Sequence, residues 1–556
     1  MGASQLEGAA VELGTPARVR TELIEDEHRL RAVLRALLQN NTASFTCSRD
    51  GQRTSVAPPM LEADRLRWSA PVQVPVELEL SGYNSLFRCT LEVASDDGHT
   101  TPLPKQIKRV RRRWQRRASL LEGHALTLDG LPLSDISHDG LSVTLEPTRE
   151  AFTPGTVLPS AKLRVGTEEL HLDLQTRSVT SVGSSVVCRF LILAASSRDA
   201  EAWRRVVDAR LYSNTDTSAS WADELWSLYG KCGYFNLSGK SVTAFAERKQ
   251  AFVNVARRLA HAPQLGCHVV FRSQAAGVVA GLSVLKVYSG TWLGFQMAKV
   301  KGDTPEGVSS RRVLREIHER AYEHAQRDGG LAWILSYPQV KHVWSRAVHH
   351  DFPRRWVDAN EAAVVRFQAV ELVAQRRRSS ARADISAPTA DELAELLAWL
   401  WRSRGAVYCE ALDLTARSVD LADNAAAWHG QRLARSRRVF VLRSEGEVIA
   451  AAIAELGEDG AHLYGLIDLT RIYLFRSDAH RRVPELLDEV RHFYAEHGKT
   501  SFVLFREEGT ELDLSSLQVQ QDLGFADMSI LSANLLPELL ECLHEITAPR
   551  EASDAG

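Results

Sequence analysis

KQIKRVRRRWQRR, residues 105–117, places eight basic residues among thirteen with no acidic one between them. Eighteen residues beyond Arg117 the chain reads Asp135-Ile136-Ser137-His138-Asp139-Gly140 and runs straight into the strand-like stretch 141–145. Arginines recur four apart in the basic run, as Arg109/Arg113, Arg112/Arg116 and Arg113/Arg117. Guanidinium forks match phosphate oxygens and the O6/N7 edge of guanine, and their planes stack on bases. A carboxylate accepts from guanine's N1 and N2 donors, and a serine hydroxyl adds a short adaptable hydrogen bond. Glycine lets the backbone turn tightly and lets a ligand come close. A basic run alone also describes a solvated face or a nonspecific nucleic-acid patch. An Asp-x-Ser-x-x-Gly alone also describes a polar hairpin turn. Together and in this order they describe a site for an anionic, guanine-containing ligand.

At these residues the sequence resembles the PilZ family, receptors for the bacterial second messenger cyclic di-GMP. The family pattern is Arg-x-x-x-Arg followed by Asp/Asn-x-Ser-x-x-Gly, and the resemblance covers about residues 105–212. The register Arg113/Arg117 fits best, because Arg117 directly precedes the segment leading into the first strand. The resemblance implies that Arg113 and Arg117 stack on guanine and clamp phosphate, with Arg112 and Arg109 as auxiliaries for a stacked ligand dimer. Asp135 and Ser137 would read the guanine edge, and Gly140 would allow the close turn.

The charge is local. Formal net charge over the 556 residues is −3, so the chain without those eight cations carries −11. That balance argues against a protein built to bind nucleic acid. Hydrophobic content of 44% and charged content of 25% are those of a globular protein, long enough for three or four domains. The seven cysteines are scattered, odd in number and form no Cys-x-x-Cys. They point to a reducing compartment and to neither a disulfide framework nor a structural zinc. No basic segment followed by an apolar core opens the chain, and no apolar run approaches the ~20 residues that span a bilayer. The expectation is a cytoplasmic protein that is not integral to a membrane.

Residues 1–20 read as a tail. Leu30, Val33, Leu34, Leu37 and Leu38 fall at helical spacing, and the strand-like runs that follow make a mostly β domain over 21–107. Its place before the PilZ-like segment is similar to the N-terminal split-barrel-like domain of flagellar-brake (YcgR-type) proteins. From 108 to 212, six strand-like runs with regular turn signals predict a small antiparallel barrel, closed by a helix over 199–212.

The second half repeats itself. Ala222-Asp-Glu-Leu225 recurs as Ala390-Asp-Glu-Leu393, Val270-Phe-Arg-Ser273 as Val441-Leu-Arg-Ser444, Val278-Val-Ala-Gly281 as Val448-Ile-Ala-Ala451, and Arg311-Arg-Val313 as Arg481-Arg-Val483. The runs 331–337 and 500–506 correspond, as do His350-Asp-Phe352 and Leu523-Gly-Phe525. These offsets predict two domains of one topology, 213–378 and 385–548, before a tail at 549–556. The order of elements is similar to the N-acetyltransferase (GNAT) fold. The fold class expected for the whole is multidomain α+β: a β-rich N-terminal domain, a PilZ β-barrel and two GNAT-like α/β domains.

The GNAT resemblance implies a pyrophosphate loop, Gln/Arg-x-x-Gly-x-Gly/Ala, at a helix N-terminus, where free backbone N–H groups meet acyl-CoA. The first repeat offers Thr304-x-x-Gly307-x-Ser309, and the second Arg476-x-x-Ala479-x-Arg481 with Pro484 just inside the helix. These departures favour an output module that engages a protein partner over a cyclic di-GMP-regulated, acyl-CoA-dependent N-acyltransferase. No catalytic residue is assigned. Gly239-Lys240-Ser241 lacks the first glycine of a P-loop. The set His342, His349, His350 and Asp351 matches no common metal spacing and reads as a solvated helix end. Most tryptophans lie on apolar patterns and read as core.

Overall fold

In a computed structural model the described residues are 11–12, 21–25, 27–38, 45–49, 52–57, 59–62, 65–73, 76–81, 85–92, 94–111, 118–120, 126–146, 152–182, 185–236, 242–302, 308–358, 360–376, 384–510 and 512–547. The chain divides into two units, Met1–Ser213 with Pro537–Gly556, and Asn214–Leu536.

The first unit begins with a six-stranded antiparallel sheet. Its order is Thr21–Ile24, Ile107–Arg111, Ser85–Leu91, Val76–Ser81, Phe45–Arg49 and Gln52–Val56. Helix Glu27–Leu38 turns Leu30, Val33 and Leu34 into the same core as Leu78, Leu80, Phe87 and Ile107, as its i, i+3, i+4 spacing requires. The start of the basic run is therefore a strand of this sheet.

The barrel is closed by six antiparallel strands. Leu126–Leu128, Leu131–Ser137, Gly140–Leu145, Ser185–Ala195, Glu168–Val182 and Val157–Val165 each pair with the next, and the last pairs with the first. Closure leaves no edge open to other chains. Val11 and Glu12, expected in a tail, pair with Ala195 and Ala194. Helix Ser197–Leu211 is capped by Ser196, whose Oγ accepts from the Asp199 amide, and buries Trp203, Val207 and Leu211.

Among the described residues the second unit holds one sheet of twelve strands. Thr215–Asp216, Gly266–Ser273, Gly277–Tyr288, Thr291–Lys299 and Trp333–Ser336 come from the first repeat. Val519–Ser532, the last strand of the second repeat, follows them. Beside it lies Ala362–Val373, the last strand of the first repeat, which leads into Ser501–Glu507, Leu469–Leu474, Glu447–Gly457, Arg435–Ser444 and Ile385–Ser386. The repeats have thus exchanged terminal strands: Ile334 faces Leu531 while Val370 faces Leu504. Segments 213–378 and 385–548 build one continuous sheet. The correspondence of His350-Asp-Phe352 with Leu523-Gly-Phe525 is not structural, since the former is helical and the latter lies within a strand.

A buried charge cluster sits at the seam of the repeats. Glu455 bonds Arg435 Nη2 at 2.7 Å, Arg437 Nη2 at 2.9 Å and Arg471 Nη1 at 3.2 Å, and the Tyr288 hydroxyl of the first repeat at 3.0 Å. Burial acts to raise the Glu455 pKa, but the three guanidiniums outweigh it and hold the carboxyl at about 2. Removing one member of such a cluster strands buried charge. Glu455→Gln is expected to destabilise this unit by about 3–5 kcal/mol, read from urea unfolding of the full-length chain. A loss below about 1 kcal/mol, the range of exposed pairs, would show that the cluster does not hold the seam.

Candidate functional site

Strict alternation along Leu131–Ser137 would put Leu131, Leu133 and Asp135 on the core face. A β-bulge prevents this. The register with Gly140–Leu145 shifts between Leu133 and Asp135, so Ser134 and Asp135 share one position opposite the neighbouring strand. Ile136 then turns inward, fully buried, and Asp135 is left half-buried on the barrel surface. Ser142 Oγ donates to Asp135 Oδ2 at 2.7 Å and lies 2.7 Å from Ser134 Oγ. The chain leaving the basic run enters the barrel against this strand, with Ala118 opposite Ile136 and Ser119 opposite Asp135.

Ser137 is fully buried. Its hydroxyl lies 2.6 Å from Asp139 Oδ1 and 3.1 Å from the Gly140 carbonyl oxygen, within the turn. Trp203 Nε1 donates to the Ser137 carbonyl at 3.1 Å, and His138 Nε2 lies 2.7 Å from Asp208 Oδ1, so the turn is pinned to helix Ser197–Leu211. Gly140 was expected to permit a tight turn. Its φ is not positive, and what requires glycine is the neighbouring strand, since a Cβ there would press into the Phe190 carbonyl oxygen.

Arg112, Arg113 and Arg117 lie outside the described residues. Arg109 is not a free auxiliary: it is buried in the N-terminal sheet, its guanidinium 6.0 Å from the centre of the Phe87 ring. Its pairing register, opposite Glu22 and Phe87, accounts for the difference.

In the second unit, Gly307 lies outside the described residues, and Ser309 is the N-cap of helix Ser310–Ala325, its Oγ accepting from the Arg312 amide at 3.2 Å. The counterpart in the second repeat is filled by its own side chains. Arg476 pairs with Asp478 at 2.7 Å, Arg482 bonds both Asp384 and Glu485, Ala479 is buried, and Pro484 stands at the helix start.

Sequence reasoning missed a cavity of about 610 Å³ in the first repeat. The parallel strands Thr291–Lys299 and Trp333–Ser336 stay paired only as far as Gly294 and Ser336, and beyond that point they part. Gln296, Tyr337, Ser310 and His349 line the opening, together with His462 and Tyr464 of the second repeat. His349, expected at a solvated helix end, is buried with its Nε2 3.1 Å from His318 Nε2. His318 Nδ1 must donate to the Leu314 carbonyl, so its Nε2 accepts the His349 N–H, and His349 Nδ1 accepts from the Tyr322 hydroxyl at 3.3 Å. Partners separated by 31 residues leave no local signal. Among the described residues no group of three or more His, Cys, Asp or Glu is placed to hold a metal ion.

No family model matches the chain, and no curated protein matches it. Solved structures similar to parts of it include c-di-GMP-binding PilZ-like proteins over the N-terminal third and GNAT-fold proteins over the C-terminal part. The K. pneumonia MrkH–c-di-GMP complex is 13% identical, covering 34% of this chain and 96% of that one, with a TM-score of 0.29. YcgR of Escherichia coli in complex with c-di-GMP is 16% identical, covering 34% and 91%, with a TM-score of 0.27. A GCN5-related N-acetyltransferase from Sphaerobacter thermophilus is 10% identical, covering 57% and 95%, with a TM-score of 0.31. No helix among the described residues is long and apolar enough to cross a membrane, which says nothing of a β-barrel.

The histidines around the cavity set a pH dependence. Burial lowers the pKa of His462 and His349 to about 3 and of His318 to about 4, with the neighbouring His318 adding to the effect at His349. Below the unfolded value of about 6.5, only the unfolded chain takes up these protons. Stability is therefore full above about pH 6.5 and falls as pH drops toward 4, by up to about 1.4 kcal/mol per pH unit for each histidine. Urea midpoints at pH 7 and pH 5 measure this, and His462→Asn should remove one histidine's share of the slope. Equal midpoints would contradict the buried neutral state.

Proposed function

We propose that the chain is a cytoplasmic cyclic di-GMP receptor of the PilZ type. In this reading Arg113 and Arg117 stack on guanine and clamp phosphate, with Arg112 as auxiliary. Asp135 reads the guanine edge, Ser137 orders the turn, and Gly140 keeps the neighbouring strand close. The observation that supports the reading is that Ala118 and Ser119, the residues directly after the basic run, pair with Ile136 and Asp135, and that the bulge turns Asp135 outward. Residues 112–117 join the N-terminal sheet to the barrel. Nucleotide bound there would fix the orientation of these two parts.

The output in this reading is the tandem GNAT-like unit acting on a protein partner. Its second-repeat loop is closed by Arg482 with Asp384 and Glu485. The cavity of the first repeat favours a second reading, acyl-CoA-dependent acyl transfer regulated by the nucleotide, because Ser310 at a helix start lines it. Thermal shift of the full-length chain with acetyl-CoA separates the two. Saturable stabilisation supports acyl transfer, and none supports the partner-binding module.

Calorimetry with cyclic di-GMP tests the receptor assignment. Arg117→Ala is expected to cost about 2–4 kcal/mol of binding, since it removes a charge-assisted contact and a stacking surface. GMP and short duplex DNA should bind much more weakly than cyclic di-GMP. Unchanged affinity in the Arg117 variant would end the assignment.

A further inference from the structure

The cavity between the parted strands has an apolar wall that is open to it. Met297 and Tyr337 stand past the point where Thr291–Lys299 and Trp333–Ser336 separate, and Leu314 comes from helix Ser310–Ala325. Leu466, Leu523 and Ala526 complete the wall from the second repeat. All six are half-buried, and Tyr337, Leu466, Leu523 and Ala526 rest against the core that holds Phe295 and Phe367. What they leave uncovered is apolar surface lining a cavity of about 610 Å³, a volume in the range of small-molecule sites.

The polar groups among the walls are engaged or sealed. The Tyr234 hydroxyl donates to the Met297 carbonyl and the Tyr464 hydroxyl to the Tyr234 carbonyl, each at 2.5 Å. His349 is held by His318 and Tyr322, and His462 Nδ1 accepts from the Tyr464 amide at 3.2 Å. Both amide atoms of Gln296 are buried and do not open into the cavity. A ligand seeking hydrogen bonds finds few here, whereas an alkyl chain needs none.

The rim carries charge of one sign. Lys301 and Lys341 are exposed, and their ammonium groups have no ion-pair partner among the described residues. Lys299 lines the cavity as well, half-buried. No Asp or Glu is among the described residues that line it, in a chain with more acids than bases overall. A cleft of one sign over low-dielectric walls concentrates ions of the other.

We propose that this cavity binds a medium-chain fatty carboxylate, its chain along the six apolar side chains and its carboxylate at Lys301 and Lys341. The assignment goes beyond both output readings, neither of which specifies a chain. It is independent of the nucleotide reading, because every residue it uses lies in the second unit. Three of the six apolar residues belong to each repeat, so the ligand spans both.

Calorimetry and ligand-observed NMR on the full-length chain test it, with octanoate, decanoate and dodecanoate below their micelle concentrations. Octanol and decyltrimethylammonium are the head-group controls. The expected result is saturable binding that tightens about fourfold for each added methylene, the worth of one buried CH₂. Octanol and decyltrimethylammonium should bind several-fold more weakly than the carboxylates of the same length. The double variant Lys301→Glu/Lys341→Glu changes only exposed side chains, so it should fold, and it should abolish the preference for the carboxylate. Ala526→Phe, which fills part of the wall, should weaken dodecanoate by about tenfold or more and octanoate less. Should that variant fail to fold, the lysine variant still decides. Binding that does not saturate, or that does not depend on chain length, would overturn the proposal. So would a cationic head group bound as well as the carboxylate, or carboxylate binding unchanged in the lysine variant.

Discussion

The exchange of terminal strands is the constraint on which the second unit depends. Ala362–Val373 leaves the first repeat to lie between Ser501–Glu507 and Val519–Ser532, and Val519–Ser532 returns to pair with Trp333–Ser336. Each repeat's sheet is thereby completed by a strand from the other, so neither has a full set of backbone hydrogen-bond partners alone. The exchange brings charged residues of one repeat under the core of the other. Glu455 can be buried only because Arg437 stands directly across the strand pair, Arg435 and Arg471 flank it, and Tyr288 arrives from the first repeat. A carboxylate at that depth without these partners would take up a proton.

Some of this was written plainly in the sequence. Apolar alternation and turn residues marked the barrel strands, and Leu30, Val33 and Leu34 marked the first helix. Internal matches such as Ala222–Leu225 with Ala390–Leu393 revealed the duplication. Pairing between repeats was not legible, because a period in one chain says nothing about which edge its last strand will seek. The His350-Asp-Phe352 match misled for a related reason. Three residues carry no period, so one similarity can rest on a helix in one copy and a strand in the other.

The candidate site was named in the sequence by its residues, and its geometry was not legible there. Asp135-x-Ser137-x-x-Gly140 announced itself, but the bulge that turns Asp135 outward depends on counting residues against a partner strand. Gly140 was read as a turn glycine, whereas the Phe190 carbonyl oxygen that a Cβ there would press into lies fifty residues away. Arg109 sat in an arginine pattern yet answers to the register of a strand. Gln296, His318 and His462 gave no signal, because the roles of buried polar residues are set by neighbours distant in sequence.

The charge distribution links these parts. A chain carrying −11 elsewhere gathers eight cations at 105–117 with no acid among them, and such a run repels itself. Neighbouring carboxylates would relieve that repulsion, but they would also compete with any anionic ligand for the guanidiniums. In the receptor reading, a run with no acid in its own sequence keeps its guanidiniums for phosphate, and a ligand with two phosphates would relieve the repulsion on binding. The nearby carboxylate Asp135 stands instead on the barrel strand, bonded by Ser142 and turned outward by the bulge. In the proposed receptor it would there meet the neutral donor edge of a base while the cations meet the phosphates. Keeping acid and base on separate elements lets one ligand bridge them, and that bridge is what would couple the N-terminal sheet to the barrel.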